Sequence, residues 1–545
     1  MMTIRKLILG SAAALLATGA AQAADLPVKA KAVEYVKVCS LYGAGFFYIP
    51  GTDTCIKIGG YLRVDTTFNG GAHGQPAWSG DFGQQNRFRD YFVGRSRFAL
   101  QIDTRTATEY GVVRTFGQGD FQFNNFGNSN PAALGVAPAS PSSGTPGGLN
   151  SSLLSTAGGG YVAVEFVFIQ FAGFTFGKSA SAYATPWHGV PGNIDSNLLG
   201  GHTTDTGVNN IQYTAEFGNG VSASIGLDDP TVWNRTQVWN TSLGVGANGT
   251  GTQSYGGTHA PDIVGRIRVD QAWGLFQVSG AAHLVNASYN TLGAGGAPTN
   301  LSEISGHPED KWGGSVMAAL QIKNIPTGPG DDIKIDASYA VGTTKNVIST
   351  SGTSPSFAMF GGSGLGYQSV GFGATSDAIY APPGSFGGGP LGGSGSGLLL
   401  TKAWGIRGAF NHNWDPYWSS SIFGSYSQVR YDGGADDNRR GIASAAGIYC
   451  QAFAASHGGL AAQTGVAGTG TYSCNPDWAV SQLGVVTRWT PVKNLTFSGE
   501  VMWTHLDQKM AGSAVFAASA PKPAALYEFK DQDTFLLQIR AQRNF

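Results

Sequence analysis

Tyr91-Phe-Val-Gly-Arg-Ser-Arg-Phe-Ala-Leu-Gln-Ile-Asp-Thr-Arg105 has two faces that belong in different solvents. In an extended chain, successive side chains point to opposite sides. Phe92, Phe98, Leu100 and Ile102 then share one side, and Arg95, Arg97, Gln101, Asp103 and Arg105 share the other. No soluble sandwich would bury the second face, and no surface strand would need the first to be so apolar. A strand separating lipid from water satisfies both, because transmembrane barrel strands alternate apolar-out and polar-in over about ten residues. The chain ends on the same pattern, with Phe535, Leu537 and Ile539 set against Gln538, Arg540, Gln542 and Asn544.

Working outward from these two segments, comparable strands are expected near 56–68, 90–105, 108–121, 160–172, 173–183, 208–218, 219–229 and 261–273. Others follow near 274–288, 311–323, 332–343, 402–414, 417–431, 478–490, 494–507 and 534–545. The gaps between them alternate long and short. Short gaps carry turn residues, as at Ala172-Gly173, Gly218-Asn219-Gly220, Trp273-Gly274 and Asp415-Pro416. Long gaps, notably 122–160, 229–260, 344–401 and 432–477, are rich in Gly, Ser, Pro and Asn, and tracts such as 384–397 read as flexible loop. Strict alternation of this kind fits short periplasmic turns and long extracellular loops. The fold class is therefore all-β, a transmembrane antiparallel β-barrel of about 16 strands.

Composition agrees. Charged residues make up only 12% of the 545, too few for an ordinary soluble surface, while Gly reaches 82. Hydrophobic residues are 42%, and no internal run approaches the roughly 18 apolar residues of a membrane helix. A net charge of -1 gives no basic footprint for nucleic acid. Trp273, Trp404, Trp414, Trp418, Trp489 and Trp503 fall near strand ends, where interfacial girdles sit.

At the N-terminus, Arg5 and Lys6 precede an apolar run from Leu7 to Ala21, and Ala21-Gln22-Ala23 is a small-x-small cleavage site. Residues 1–23 thus read as a signal peptide, 24–55 as a periplasmic N-terminal segment and 56–545 as the barrel. Export to an oxidising compartment suits four cysteines, paired by proximity as Cys39 with Cys55 and Cys450 with Cys474. No Cys-x-x-Cys or clustered His accompanies them, so neither metal nor cofactor is expected. Gly244-Val-Gly-Ala-Asn-Gly249 matches a dinucleotide fingerprint only on paper, since no helix pattern follows. His283, His412 and His505 lie on expected strands outside any catalytic signature, which argues against an enzyme. An adhesin or receptor acting through its long loops is the competing class.

Five stretches carry a family resemblance. Val33 to Cys39, Tyr42 to Cys55 and Ile58-Gly-Gly-Tyr61 resemble the mature start of alphaproteobacterial porins. Phe166 to Gly177 is similar to the strand turn leading to that family's constriction loop, and the terminal Gln-Arg-Asn-Phe545 also fits. The resemblance implies a sixteen-stranded barrel among outer-membrane lipids, usually a homotrimer, that passes small hydrophilic solutes and ions passively. Phe545 resembles the terminal insertion signal read by the barrel-insertion machinery. Loops 344–401 and 432–477 are enlarged relative to the pattern.

Within such a barrel, selectivity depends on lumen side chains and on the loop that narrows it. Because the first strand closes on the last, Arg63, Arg95, Arg97 and Arg540 are expected as neighbours on one stretch of wall, with Arg407 and Arg488 on later strands. Side by side, their permanent charges would make a strong local field. A plain solvated wall, with the arginines paired to Asp65, Asp103 or Asp270, is the competing expectation. The resemblance makes 184–207 the inward constriction loop, carrying Asp195 and Asp205, with Asp195 the carboxylate expected to oppose the arginines.

Overall fold

A strand buried in lipid cannot leave its backbone N–H and C=O groups unpaired, so strands that cross a membrane must close into a ring. The computed structural model describes residues 37–78, 91–124, 161–187, 189–203, 206–231, 235–246, 249–349, 356–363, 366–385, 395–457, 471–516 and 524–545. The expected signal peptide, residues 1–23, and Asp205 lie outside them. The chain divides into two compact units, Met1–Lys57 and Ile58–Phe545.

The described part of the first unit is a small knot. Phe47–Tyr48 pairs with Cys55 and Ile56, and the Cys39–Cys55 disulfide packs with Phe46, Tyr42 and Tyr48.

In the second unit, sixteen strands among the described residues close a ring. They are β1 (Thr54–Phe68, in this unit from Ile58), β2 (Phe92–Thr108), β3 (Gly111–Asn124), β4 (Tyr161–Phe171), β5 (Phe174–Ser179), β6 (Val208–Gly218), β7 (Val221–Asp228) and β8 (Asp262–Gln271). They continue as β9 (Gly274–Val285), β10 (Lys311–Lys323), β11 (Asp332–Val341), β12 (Lys402–Asn413), β13 (Trp418–Arg430), β14 (Trp478–Val492), β15 (Leu495–Gln508) and β16 (Gln532–Asn544). Each pairs with its sequence neighbours, and β16 pairs with β1 from Tyr61↔Asn544 to Phe68↔Leu537. Every expected strand is present. β5 ends at Ser179, short of the expected 183, because the chain there leaves the wall for the interior.

Alternation sorts the side chains as the sequence implies. Ile225, Ile267, Leu483 and Ile539 point outward and stay 50–62% exposed, an apolar skin that only lipid would cover without cost. Asp65, Arg95, Asp120, Asp336, Arg407, Gln482 and Glu500 point inward and are buried. Trp273, Trp414, Trp418 and Trp489 are exposed at one end of the ring, where Trp418 and Trp489 stack at 5.8 Å. At that end the joins are two to eight residues, and Ala172-Gly173 and Asn219-Gly220 both take positive φ, as tight hairpin turns require.

The opposite end departs from flexible loop. Phe357–Ser363, Gly366–Gly373, Ala525–Phe529, Ala511–Phe516 and Tyr472–Ser473 form a five-stranded sheet. Val238–Asn240, Ala378–Tyr380 and Leu399–Leu400 form a second. A helix, Ala445–Ser456, starts where the Ser444 side chain accepts from the Gly447 N–H, and Cys450 in it is joined to Cys474. These pieces share one apolar core, including Trp239, Phe360, Phe372, Phe453, Phe516 and Phe529, which continues onto inward residues at the ends of β11 to β15, such as Ala340 and Trp478. Glycine here means close packing as well as turns: a Cβ on Gly251 would lie 2.5 Å from the Trp239 ring. Of the tract 384–397, residues 386–394 lie outside the described residues.

Replacing Cys450 and Cys474 with alanine should cost this loop assembly roughly 2–4 kcal/mol. Limited proteolysis is then expected to cut within 431–477 far faster than in the parent, while the barrel keeps its heat-modifiable migration on gels.

Candidate functional site

The described residues between Ser179 and Val208 run inside the ring, held by side chains that project inward from β9, β12, β14 and β15. Gln277 on β9 donates to the Ala184 carbonyl at 2.7 Å. Arg488 on β14 donates to the Gly192 carbonyl. The Glu500 carboxylate on β15 accepts the N–H groups of Ile194 at 2.6 Å and Asp195 at 3.3 Å. Gln482 on β14 accepts from the Leu199 N–H at 2.7 Å and donates to the Asn197 carbonyl at 3.0 Å. Arg407 on β12 donates to the carbonyls of Leu198 at 3.1 Å and His202 at 2.6 Å.

The wall beneath is shaped to take this loop. Leu198 packs on inward Ala409, Phe423, Val486 and Met502, while Tyr183 and Trp187 pack on Val264, Met317 and Ala319. Gly405 on β12 allows contact, since a Cβ there would stand 2.4 Å from the Gly200 Cα. Arg407 also pairs with Asp336 at 2.9 Å, both without solvent access. A polar cavity of about 330 Å³ remains between loop and wall, lined by residues including Asn193, Lys334, Asn411, Ser421 and Arg488.

Across the interior, β16, β1 and β2 carry the four arginines, and β3 and β4 carry the carboxylates Asp120 and Glu165. Asp65 accepts from Arg540 at 2.6 Å through one oxygen and from Arg95 at 2.9 Å through the other. Arg97 pairs with Asp120 at 2.6 Å and lies 3.8 Å from Glu165. Arg63 donates to Gln542 at 2.8 Å. Arg95 and Arg540 are buried, whereas Arg63 and Arg97 are partly exposed. His73 bridges the two sides: its ring contacts Arg95, and its carbonyl accepts from Asn197 at 3.0 Å.

The four arginines expected as neighbours therefore do gather, with carboxylates interleaved. Arg407 stands apart from them, Arg488 lies two strands from Arg540, and both hold the loop. Asp195 is 1% exposed, with its carboxylate accepting from Asn193 at 3.1 Å and the Asn197 N–H at 2.6 Å. It lies against Glu500 and faces no open water. Asp120, Glu165, Glu500, His73 and Asp336 belong to the site and were not singled out from sequence. Glu165 could not have been placed by alternation: the β3–β4 register shifts between Gln118 and Gly119, and the extra residue turns Glu165 inward. Among the described residues, no group of three or more His, Cys, Asp or Glu could hold a metal.

Comparisons with known proteins agree with this architecture. Residues 25–537 match a family model described as the porin subfamily. Porin Omp2b of Brucella suis is 36% identical over 278 residues, 50% of this chain and 64% of the relative. Porin Omp2b of Brucella abortus (strain 2308) is 35% identical over 277 residues, with the same coverage. The matched part thus spans under two thirds of these relatives' length. Among solved structures, the outer membrane channel DcaP of Acinetobacter baumannii superposes with a TM-score of 0.50 at 13% identity, covering 91% of this chain and 99% of that one, a likeness of fold.

Truncating Arg407 to alanine would strand the Asp336 carboxylate in a dry site. The expected loss is about 3–5 kcal/mol, read as a lower denaturant midpoint for the detergent-solubilised barrel. Arg63→Ala removes a partly exposed group and should cost under about 1 kcal/mol.

Proposed function

Since the chain belongs to the porin subfamily, an outer-membrane family whose model spans residues 25–537, we propose that it forms a water-filled channel for passive diffusion of small hydrophilic solutes and ions. The observation that carries this reading is a closed ring with an apolar outside, a polar inside and a loop laid across part of the interior. A sixteen-stranded ring is wide enough for water unless side chains or loops fill it. Here the loop assembly and the inward loop cover β9 to β15, and the aqueous path follows β1 to β8, where Arg63, Arg114, Gln170, Thr214 and Arg266 stay partly exposed. The relatives are named porins, and the family is one of channel proteins, not enzymes.

Selectivity, on this reading, comes from Arg63, Arg95, Arg97 and Arg540 acting against the Asp195 and Glu500 carboxylates that hold the loop tip. Asp65, Asp120 and Glu165 neutralise most of the cluster, while the partly exposed Arg105, Arg114 and Arg266 add positive charge along the path, so the field is moderate and favours anions. Short turns lie in the periplasm and long loops outside the cell. The working assembly is a homotrimer embedded in outer-membrane lipid, delivered by the barrel-insertion machinery through Phe545.

Planar-bilayer recording under a KCl gradient tests this. Stepwise openings in groups of three are expected, with a reversal potential of anionic sign. Combining Arg63→Ala with Arg97→Ala should move that potential toward cation preference, and Asp195→Ala should alter conductance by loosening the loop. A correctly folded barrel that passes no current would overturn the reading.

A further inference from the structure

Most inward positions on β2 to β8 are polar, as a wet interior requires, but Phe116, Phe166 and Phe168 are not. Phe116 on β3 pairs directly with Phe168 on β4, their rings stacked 5.3 Å apart at 26°. Phe166 meets Phe116 edge-on at 6.4 Å. Their direction is fixed by neighbours of opposite parity: Phe121, Val167 and Ile169 are outward and 49–54% exposed. Phe116 and Phe168 therefore face inward, and both remain partly exposed there. On the far side of Phe168 its partner on β5 is Gly177, which places no side chain directly opposite the ring. Gly177 is held to glycine by backbone contact, with a Cβ falling 2.5 Å from the Val167 carbonyl oxygen. The result is an apolar platform set in a polar wall.

Cations border it. The Arg114 guanidinium lies 5.2 Å from the Phe116 centroid and 5.4 Å from that of Phe168. It is fixed there by Asp103 at 3.0 Å and Gln170 at 2.9 Å. Arg105 reaches the same Asp103 at 3.1 Å. Two guanidinium groups thus converge on one carboxylate, which leaves a net positive charge at the platform's edge. Exposed phenyl rings next to water cost hydration free energy, and a solute that covers them recovers it. A neutral ring would satisfy the platform and leave the charge; a small aliphatic anion would do the reverse.

We infer that Phe116, Phe168 and Arg114 form a subsite on the channel wall for small aromatic monocarboxylates, the ring lying on the phenylalanines and the carboxylate meeting the arginine pair. This rests on the channel reading above, and it adds a solute class that the arginine cluster alone does not define. The site slows such solutes without chemistry, so its signature is residence time in the pore.

The test is single-channel recording in KCl with benzoate, acetate or benzamide added to one side. Benzoate should interrupt the current with an affinity about tenfold above either comparison solute. Combining Phe116→Ser with Phe168→Ser should bring benzoate down to the acetate level, and Arg114→Gln should bring it to the benzamide level. Phe116→Tyr with Phe168→Tyr keeps both rings and should preserve the benzoate effect, which separates lost stacking from a damaged barrel. Benzoate acting no more strongly than acetate on the parent, or unchanged on an open serine variant, overturns the subsite while the KCl current upholds the channel. Absence of any KCl current overturns both.

Discussion

Closure of the ring is the constraint on which everything else in this protein rests. A sheet edge left open in lipid would expose a row of unpaired N–H and C=O groups, each costing several kcal/mol. The edge formed by β1 is satisfied only when β16 arrives beside it. At that seam the backbone N–H of Phe545 donates to the Gly60 carbonyl at 3.1 Å, and the Phe545 ring stacks on Phe98 at 5.9 Å. Gly60 has φ +146°, and a Cβ there would collide with the Ala99 carbonyl oxygen, so the seam needs glycine at this point. The same seam brings Arg540 to Asp65, which joins backbone closure to the electrostatics of the interior.

The interior is divided by the chemistry of its wall. From β9 to β15 many inward positions are small or apolar, such as Ala319, Gly405, Ala409 and Val486, and the loops pack onto them. From β1 to β8 the inward positions are mostly charged or amide side chains, which water and one another satisfy. Buried charges on the packed side are matched closely: Arg407 with Asp336 and two loop carbonyls, Glu500 with two loop N–H groups. Such pairs add little net stability but penalise any arrangement that separates them. They fix where the loop lies more than they hold the barrel together.

Period-two patterning made the wall legible. For β6 and β10 the expected ends, 208–218 and 311–323, coincide with the strands themselves, because polar turns and an apolar outer face bound them on both sides. Arg63, Arg95, Arg97 and Arg540 could be grouped for the same reason, since parity and closure suffice to make them neighbours. What patterning misses is contact between segments far apart in sequence. Nothing in the local sequence of Arg407 or Arg488 signals that their partners are carbonyls of a loop some two hundred or more residues earlier. The loop assembly was illegible because glycines such as Gly249, Gly251 and Gly373, which read as flexibility, are sites where aromatic rings press on the backbone. Glu165 was hidden by one extra residue in its strand.

The seam also sets an order of events. Asp65 and Arg540 are separated by 475 positions in sequence, so their pairing demands that nearly the whole chain be in register first. The entropic cost of so long a closure grows only logarithmically with length, by about 0.6 kcal/mol per doubling. Its kinetic consequence is larger, because contacts this remote form late. Until β16 docks, Asp65 lacks one of its two arginines and β1 offers an open edge to any other strand. The newly exported chain is therefore most exposed to mispairing and aggregation just before closure, and the thirteen residues of β16 determine when that vulnerable period ends.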